Sequence, residues 1–278
     1  MKLTADGGST KVRWIISDGD RRVADFATCG LNPTVMSEPT LRDRLREALD
    51  AHREDLAQVT EAEYYGAGCR GAALEAMERA LREVLPGCER VTVGSDMLGA
   101  CCAVAPAGER SVVCILGTGA NSCLYDGERI VANVPPLGYI LGDEGSGAWI
   151  GKALLHSVLK GLLPERLTDA FYEHVKMDYD EIIRRVYRPD AAAGETANGF
   201  LASLAPFASE HIAEEAIERM IREGFGRFFD ANVMLYDGVK LLTVNFVGSV
   251  AAAFEPQLRA EGARRGLTIG SVKRAPLD

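Results

Sequence analysis

One cassette occurs twice in this chain, and that repetition limits what it can fold into more than any single motif does. The first copy runs from Leu3 to Ala5 through Asp6-Gly7-Gly8-Ser9-Thr10 into Lys11-Val12-Arg13-Trp14-Ile15-Ile16, which alternates with period two. Asp18-Gly19 marks a tight turn, and Arg22 to Thr28 returns. The second copy starts at Ser111. Val112 to Leu116 reads as a buried strand, Gly117-Thr118-Gly119-Ala120-Asn121 as a Gly-rich turn, and Ser122 to Tyr125 as a strand. Asp126-Gly127 is again the turn, and Arg129 to Val134 the return. The copies lie about 110 residues apart. They predict two related α/β halves, each built on a sheet that begins with a β-hairpin.

Between the cassettes, Pro39-Thr40 opens a helical pattern with Leu41, Leu45, Ala48, Leu49 and Leu56. A short strand at Tyr64 to Ala67, a helix over Gly71 to Leu85 and a strand at Val91 to Val93 follow, the last ending in Gly94-Ser95-Asp96. A small-residue helix, Leu98 to Val104, closes the half. The second half carries a larger helical insert, with helices expected over Ser146 to Leu162, Leu167 to Val175, Tyr179 to Val186 and a long one near Pro206 to Leu235. A final buried strand, Leu241 to Val247, leads into Gly248-Ser249 and an Ala-rich helix. Pro106-Ala107-Gly108 is the expected hinge, which gives domains 1–106 and 107–278, with the last residues expected to pack back on the first.

Composition removes several function classes. With 278 residues, 31 Lys+Arg against 40 Asp+Glu and a net charge of −9, the chain lacks the basic face of a general nucleic-acid binder. No apolar run approaches the ~20 residues of a membrane span, and the start turns polar too soon for a signal peptide. Seven cysteines without a C-x-x-C pair fit buried thiols in a reducing cytoplasm.

The chemistry-bearing candidates sit in loops after strands. Neither Gly-rich turn is a P-loop or a G-x-G-x-x-G opening a helix. Each is a hairpin turn where missing Cβ atoms let backbone N–H groups approach an anion, with Thr10, Thr118 and Asn121 adding side-chain donors. A facing pair would clamp a polyphosphate. Asp6 beside such amides calls for a cation, Mg²⁺ held partly through water, or else caps the turn. Asp96 is either a helix N-cap, a role Ser95 could share, or a general base for a hydroxyl nucleophile. Leu141-Gly142-Asp143-Glu144-Gly145-Ser146-Gly147 places two carboxylates among three glycines ahead of a helix, which implies a close backbone approach. Asn32 is an amide in a turn, and Gly248-Ser249 opens a helix against which a flat ring could lie.

In these strings the sequence resembles the sugar kinase–Hsp70–actin superfamily, and within it the N-acetylglucosamine kinase and BadF/BadG/BcrA/BcrD ATPase family. The likeness covers nearly the whole chain and keeps motif order. It implies two ribonuclease-H-like, actin-like ATPase domains with a cleft between them, binding ATP and Mg²⁺. By resemblance, Asp6-Gly7-Gly8-Ser9-Thr10 is the first phosphate motif, Gly117-Thr118-Gly119 the second, and Phe246-Val247-Gly248-Ser249-Val250 the adenosine motif. Asp96 matches the catalytic base, while Asn32 and Asp143 match sugar ligands; Asn121 and Gly138 join them as substrate-binding candidates. Where animal N-acetylglucosamine kinases carry Gly-Trp-Gly, this chain has Pro136-Leu137-Gly138-Tyr139, so the acetamido pocket departs there.

The expectation is therefore a homodimeric amino-sugar kinase, with N-acetylglucosamine phosphorylated at O6. Glucosamine and N-acetylmuramic acid are alternative substrates. Two rivals stand beside it: an ATPase coupled to a redox partner, for which Cys101-Cys102 in a buried helix is poorly suited, and a sugar sensor, for which no spare DNA-binding module exists.

Overall fold

The structure, a computed structural model, describes residues 1–8 and 11–278, so the expectations placed on Ser9 and Thr10 lie outside the described residues. The chain forms two compact units, Met1–Ala103 with Leu277, and Val104–Pro276 with Asp278.

In the first unit, β1 (Lys2–Gly7), β2 (Lys11–Asp18) and β3 (Arg21–Cys29) form an antiparallel meander. Then β4 (Glu61–Gly66) and β5 (Arg90–Ser95) add on in parallel, for the order β3-β2-β1-β4-β5. Helix α1 (Glu38–Leu49) starts where the Ser37 hydroxyl accepts the Thr40 N–H at 3.4 Å and Pro39 occupies the first turn. Its Leu41, Leu45 and Leu49, four apart, form one buried stripe that joins Met77, Ala80 and Leu81 of α3 (Ala72–Val84) in the core. The α1 helix stops at Leu49; Leu56 falls in a separate turn, α2 (Arg53–Leu56). Asp96 is the first residue of α4 (Asp96–Val104).

The second unit repeats the sheet. Strands β6 (Ser111–Leu116), β7 (Ala120–Tyr125) and β8 (Ile130–Ala132) are antiparallel, and β9 (Thr243–Val247) and β10 (Thr268–Lys273) run parallel to β6. The order β10-β9-β6-β7-β8 is the first unit's order read from the other end. The twofold cassette is thus a twofold ribonuclease-H-like sheet.

Between β8 and β9 lies the helical insert: α5 (Gly138–Leu141), α6 (Gly147–Leu159), α7 (Glu165–Val175), α8 (Tyr179–Tyr187), α9 (Ala197–Ala202), α10 (Ala205–Glu210) and α11 (Glu215–Ala231). Its apolar faces close over the sheet through Phe171, Phe207, Phe225 and Phe228, which share a core with Phe246 of β9, each worth ~1.5–3 kcal/mol when fully buried.

Three expectations are corrected. The long helix near Pro206 to Leu235 is two helices, because the chain turns at His211–Glu214, where extended Glu214 pairs with Arg166. The Ala-rich helix after Ser249 is the short α12 (Ser249–Ala253), and Pro256 starts a new one, α13 (Glu255–Arg264). Leu241 to Val247 is not the final strand, since β10 follows. Its alternation is broken by a register shift between Ile269 and Val272, which hid it from periodicity.

Candidate active site

In each unit the candidate residues collect at one sheet edge, beyond the carboxyl ends of the parallel strands, where open α/β sheets bind ligands. In the first unit, Gly7 pairs with Gly66 and Gly66 with Ser95. Gly8 and Asp96, the residues that leave β1 and β5, therefore emerge from the same edge two strands apart, ~10 Å. In the second unit, Ile115 pairs with Val247 and Val247 with Lys273, so Gly117, Gly248 and Arg274 share an edge.

The Gly117–Gly119 turn is held from three sides. The first N–H groups of α6, from Gly147 and Ala148, donate to the Gly117 and Thr118 carbonyls at 2.8 and 3.1 Å. The Gly117 N–H donates to the Gly119 carbonyl at 3.0 Å, and the Ala120 N–H to Asp143 Oδ1 at 3.1 Å. With the carbonyls engaged by the helix, the N–H groups of Thr118 and Gly119 make no hydrogen bond among the described residues. That pair is the part of the turn left open to an acceptor. The Gly117 and Ala120 N–H groups are engaged in holding the turn together.

Gly248 joins this turn to the next strand. Its φ of 135° is in the region open to glycine, and a Cβ there would overlap the Leu116 carbonyl oxygen and lie 3.1 Å from the Gly117 nitrogen. Beside it a cavity of about 280 Å³ runs from Gly117 and Thr118 past exposed Ser249 to Ala202, Pro206, Ala253 and Phe254. Polar Ser209, Glu210 and Arg274 complete its lining. An apolar slot with a few polar groups, one end on free amides, suits a flat base carrying phosphates. Arg274 escaped sequence reasoning because β10 did; it is the residue that follows that strand.

The Asp143 string packs on the protein itself. Asp143 is 6% exposed and has φ 55°, and burial raises its carboxyl above the ordinary range, with Glu144 adding and the Ala120 N–H and Lys152 opposing. The close approach implied by the string's glycines is to the chain's own backbone, Gly142 to Pro136 and Gly147 to Gly117. Asn121 Oδ1 accepts the Ser122 N–H and Asn133 Nδ2, both at 2.9 Å, so that oxygen is committed to the fold. Gly138 is exposed at the start of α5, with φ 73°.

In the first unit the glycines also answer to packing. A Cβ on Gly7 would lie 2.5 Å from Tyr64 Cζ, and the buried Tyr64 ring cannot retreat, since it packs on Trp14 and donates to the Leu31 carbonyl at 3.3 Å. The Gly8 N–H donates to the Lys11 carbonyl at 2.8 Å. Asn32 Oδ1 accepts the Thr34 N–H at 3.0 Å and the Thr34 hydroxyl at 2.6 Å, an Asx turn.

At Asp96 the two sequence readings separate. Ser95 Oγ accepts the Leu98 N–H at 3.2 Å and so caps α4. Asp96 Oδ1 takes only the Met97 N–H at 2.9 Å, and Oδ2 has no hydrogen-bond partner among the described residues. Its charge joins burial in pushing the nearby Cys69 thiol up to about 12. Half-buried Asp6 lies across from Arg13 and Tyr65 on β1. No three His, Cys, Asp or Glu side chains cluster as a metal cage among the described residues. A carboxylate at this end of the strands, as Asp6 is, fits a Mg²⁺ carried by phosphates and water.

The cysteine expectation is corrected as well. Cys29 and Cys102 are exposed, while Cys69, Cys101, Cys114 and Cys123 are buried. Successive helix residues point ~100° apart, so α4 presents Cys102 and hides Cys101. No helix among the described residues is long and apolar enough to cross a membrane.

The profile of the BadF/BadG/BcrA/BcrD ATPase family matches residues 5–252. The chain belongs to this family. A Porphyromonas gingivalis structure, solved as a candidate N-acetylglucosamine kinase, is 39% identical, with a TM-score of 0.94 over 100% of this chain and 96% of that one. A second candidate N-acetylglucosamine kinase, from Chromobacterium violaceum, is 19% identical, with a TM-score of 0.69 over 97% and 94% of the two chains. A Streptomyces griseus ROK family glucokinase, solved with glucose and AMPPNP, is 15% identical, with a TM-score of 0.58 over 99% and 95%. The last two share the fold, the two-domain actin-like ATPase architecture found among sugar kinases. No curated protein matches the chain.

Proposed function

We propose that this family member is an ATP-dependent amino-sugar kinase that phosphorylates O6 of N-acetylglucosamine. The observation that carries the reading is the second unit's cavity, lined by Gly117 and Thr118 of the Gly-rich turn together with Ser249 and Val250 of α12. Full-length likeness to the candidate N-acetylglucosamine kinase supports the substrate class.

Phosphoryl transfer needs alignment and charge stabilisation more than covalent help. The Thr118 and Gly119 N–H groups hold phosphate oxygens, the slot beside Ser249 holds the base, and Arg274 adds a cation at the same edge. Asp6 is the carboxylate for Mg²⁺, which when bound neutralises phosphate charge. Asn32 and Asp143 contact the sugar. Asp96, relieved of capping by Ser95, orients the attacking hydroxyl through Oδ2 and takes its proton as the new O–P bond forms, while the bond from the γ-phosphorus to the bridging oxygen breaks and ADP leaves.

A coupled ADP-release assay with glucose, glucosamine, N-acetylglucosamine and N-acetylmuramic acid tests this. Sugar-dependent turnover with N-acetylglucosamine fastest is expected. Equal ADP release with and without every sugar would sink the kinase reading and favour a partner-coupled ATPase.

A further inference from the structure

Asp143 does something no sugar ligand needs to do. Its Oδ1 accepts the Ala120 N–H at 3.1 Å, and a Cβ on Gly119 would lie 3.0 Å from its Oδ2. The carboxylate thus lies against the very turn whose Thr118 and Gly119 amides are left free. The turn's other anchors are backbone: the Gly147 and Ala148 N–H groups on its carbonyls, at the start of a helix that Ser146 caps through the Trp149 N–H at 3.2 Å. Asp143 is the one side chain among the described residues that hydrogen-bonds the segment 117–120. If it let go, the Ala120 amide would be free to swing, and the peptide planes that aim the neighbouring amides would lose their register.

We infer that Asp143 is a positioning residue for nucleotide phosphates: through the Ala120 N–H it fixes the Gly117–Gly119 turn in its anion-binding form. The inference rests on the kinase reading only for the identity of the anion. It assigns Asp143 a duty toward nucleotide beside the sugar contact proposed above. What matters in this duty is an oxygen acceptor at the Oδ1 position, not the negative charge, which by itself repels phosphate.

The backbone at residue 143 makes the test clean. A φ of 55° is left-handed, where alanine is strained but glycine and asparagine are at home. Asp143→Gly therefore deletes the acceptor while easing the backbone, and Asp143→Asn keeps an acceptor of the same size without the charge. Affinity for the Mg²⁺ complex of a non-hydrolysable ATP analogue is measured by calorimetry, which needs no turnover, alongside thermal melts of each variant. Asp143→Gly is expected to bind about 10-fold more weakly, the order expected for a lost hydrogen bond to a charged group. Asp143→Asn should stay within about 3-fold of wild type, and both should melt as folded proteins. Wild-type affinity in Asp143→Gly overturns the inference, and so does an equal loss in Asp143→Asn, since asparagine retains the acceptor. A purely sugar-binding Asp143 would instead raise the sugar KM in both variants and leave nucleotide affinity alone. Wild-type protein that binds no nucleotide overturns this inference together with the kinase reading. Wild-type protein that binds nucleotide but shows no sugar-dependent turnover refutes the kinase reading separately.

Discussion

Gly248→Ala tests whether the loop after β9 and the Gly117–Gly119 turn are one mechanical unit. Two separate penalties act at this position. The φ of 135° with ψ of 154° belongs to a region essentially restricted to glycine, and holding another residue there costs about 1–3 kcal/mol. The new methyl would also overlap the Leu116 carbonyl oxygen and stand 2.5 Å from its carbon. Both neighbours are backbone, fixed by the β6–β9 ladder in which Ile115 pairs with Val247, so nothing can rotate away. Such overpacking adds about 1–3 kcal/mol. Taking ~3 kcal/mol in total, and a urea slope of ~2 kcal/mol per molar for a unit of this size, the midpoint falls by about 1.5 M.

The two tryptophans make the assay specific, because Trp14 lies in the first unit and Trp149 in the second. In a Trp14→Phe background, Trp149 fluorescence follows unfolding of the second unit alone. The same strand shift would displace Gly117, so nucleotide affinity should fall as well. A midpoint change below about 0.3 M, under ~0.6 kcal/mol at that slope, would refute the packing argument.

Three further outcomes are expected. Asp96→Asn keeps a hydrogen-bond acceptor but cannot take a proton, so turnover should drop about 10²–10⁴-fold with little change in sugar affinity; a folded variant above about a tenth of wild-type turnover returns Asp96 to a helix-end role. Gly7→Ala should destabilise the first unit by about 1–3 kcal/mol, read by Trp14 fluorescence, and lose most of that penalty in a Tyr64→Ala background. A full penalty in the double variant would separate Gly7 from the Tyr64 ring. The Glu261 carboxyl, desolvated by burial yet hydrogen-bonded by Arg222 and Arg265 and attracted by Arg264, is held below its ordinary 4.5. Its stabilisation is therefore present above about pH 4.5 and lost as pH falls through the lower folded value. Between pH 5 and 3 the urea midpoint should fall more steeply for wild type than for Glu261→Gln, and parallel curves would contradict the assignment.

The loops of the candidate site were legible as loops, because their markers are local. A Gly-rich turn after an alternating strand, an Asp-Gly hairpin and an acidic residue after a short strand are set by neighbours a few residues apart. Order in the chain then placed them on successive strands of like sheets. The β10 strand was not legible: Gly270-Ser271 and the register shift interrupt its alternation, and Arg274 went unseen with it. The exposure of Cys102 beside buried Cys101 was missed for a related reason, as an Ala-rich helix carries too weak a pattern to show which face is covered.

The sequence by itself determined the doubled α/β cassette and where its Gly-rich turns fall between strands. Only the tertiary structure decided what each loop residue is for. Gly7 is bare because of the Tyr64 ring, Gly248 because of the Leu116 carbonyl, and Asp143 is buried because it holds the Ala120 amide. Ser95 caps α4, which leaves an Asp96 oxygen without a hydrogen-bond partner among the described residues. Each of the first three depends on atoms from a distant part of the chain. A glycine's missing Cβ and a carboxylate's partner are fixed by what packs against them, and local spacing carries no record of that.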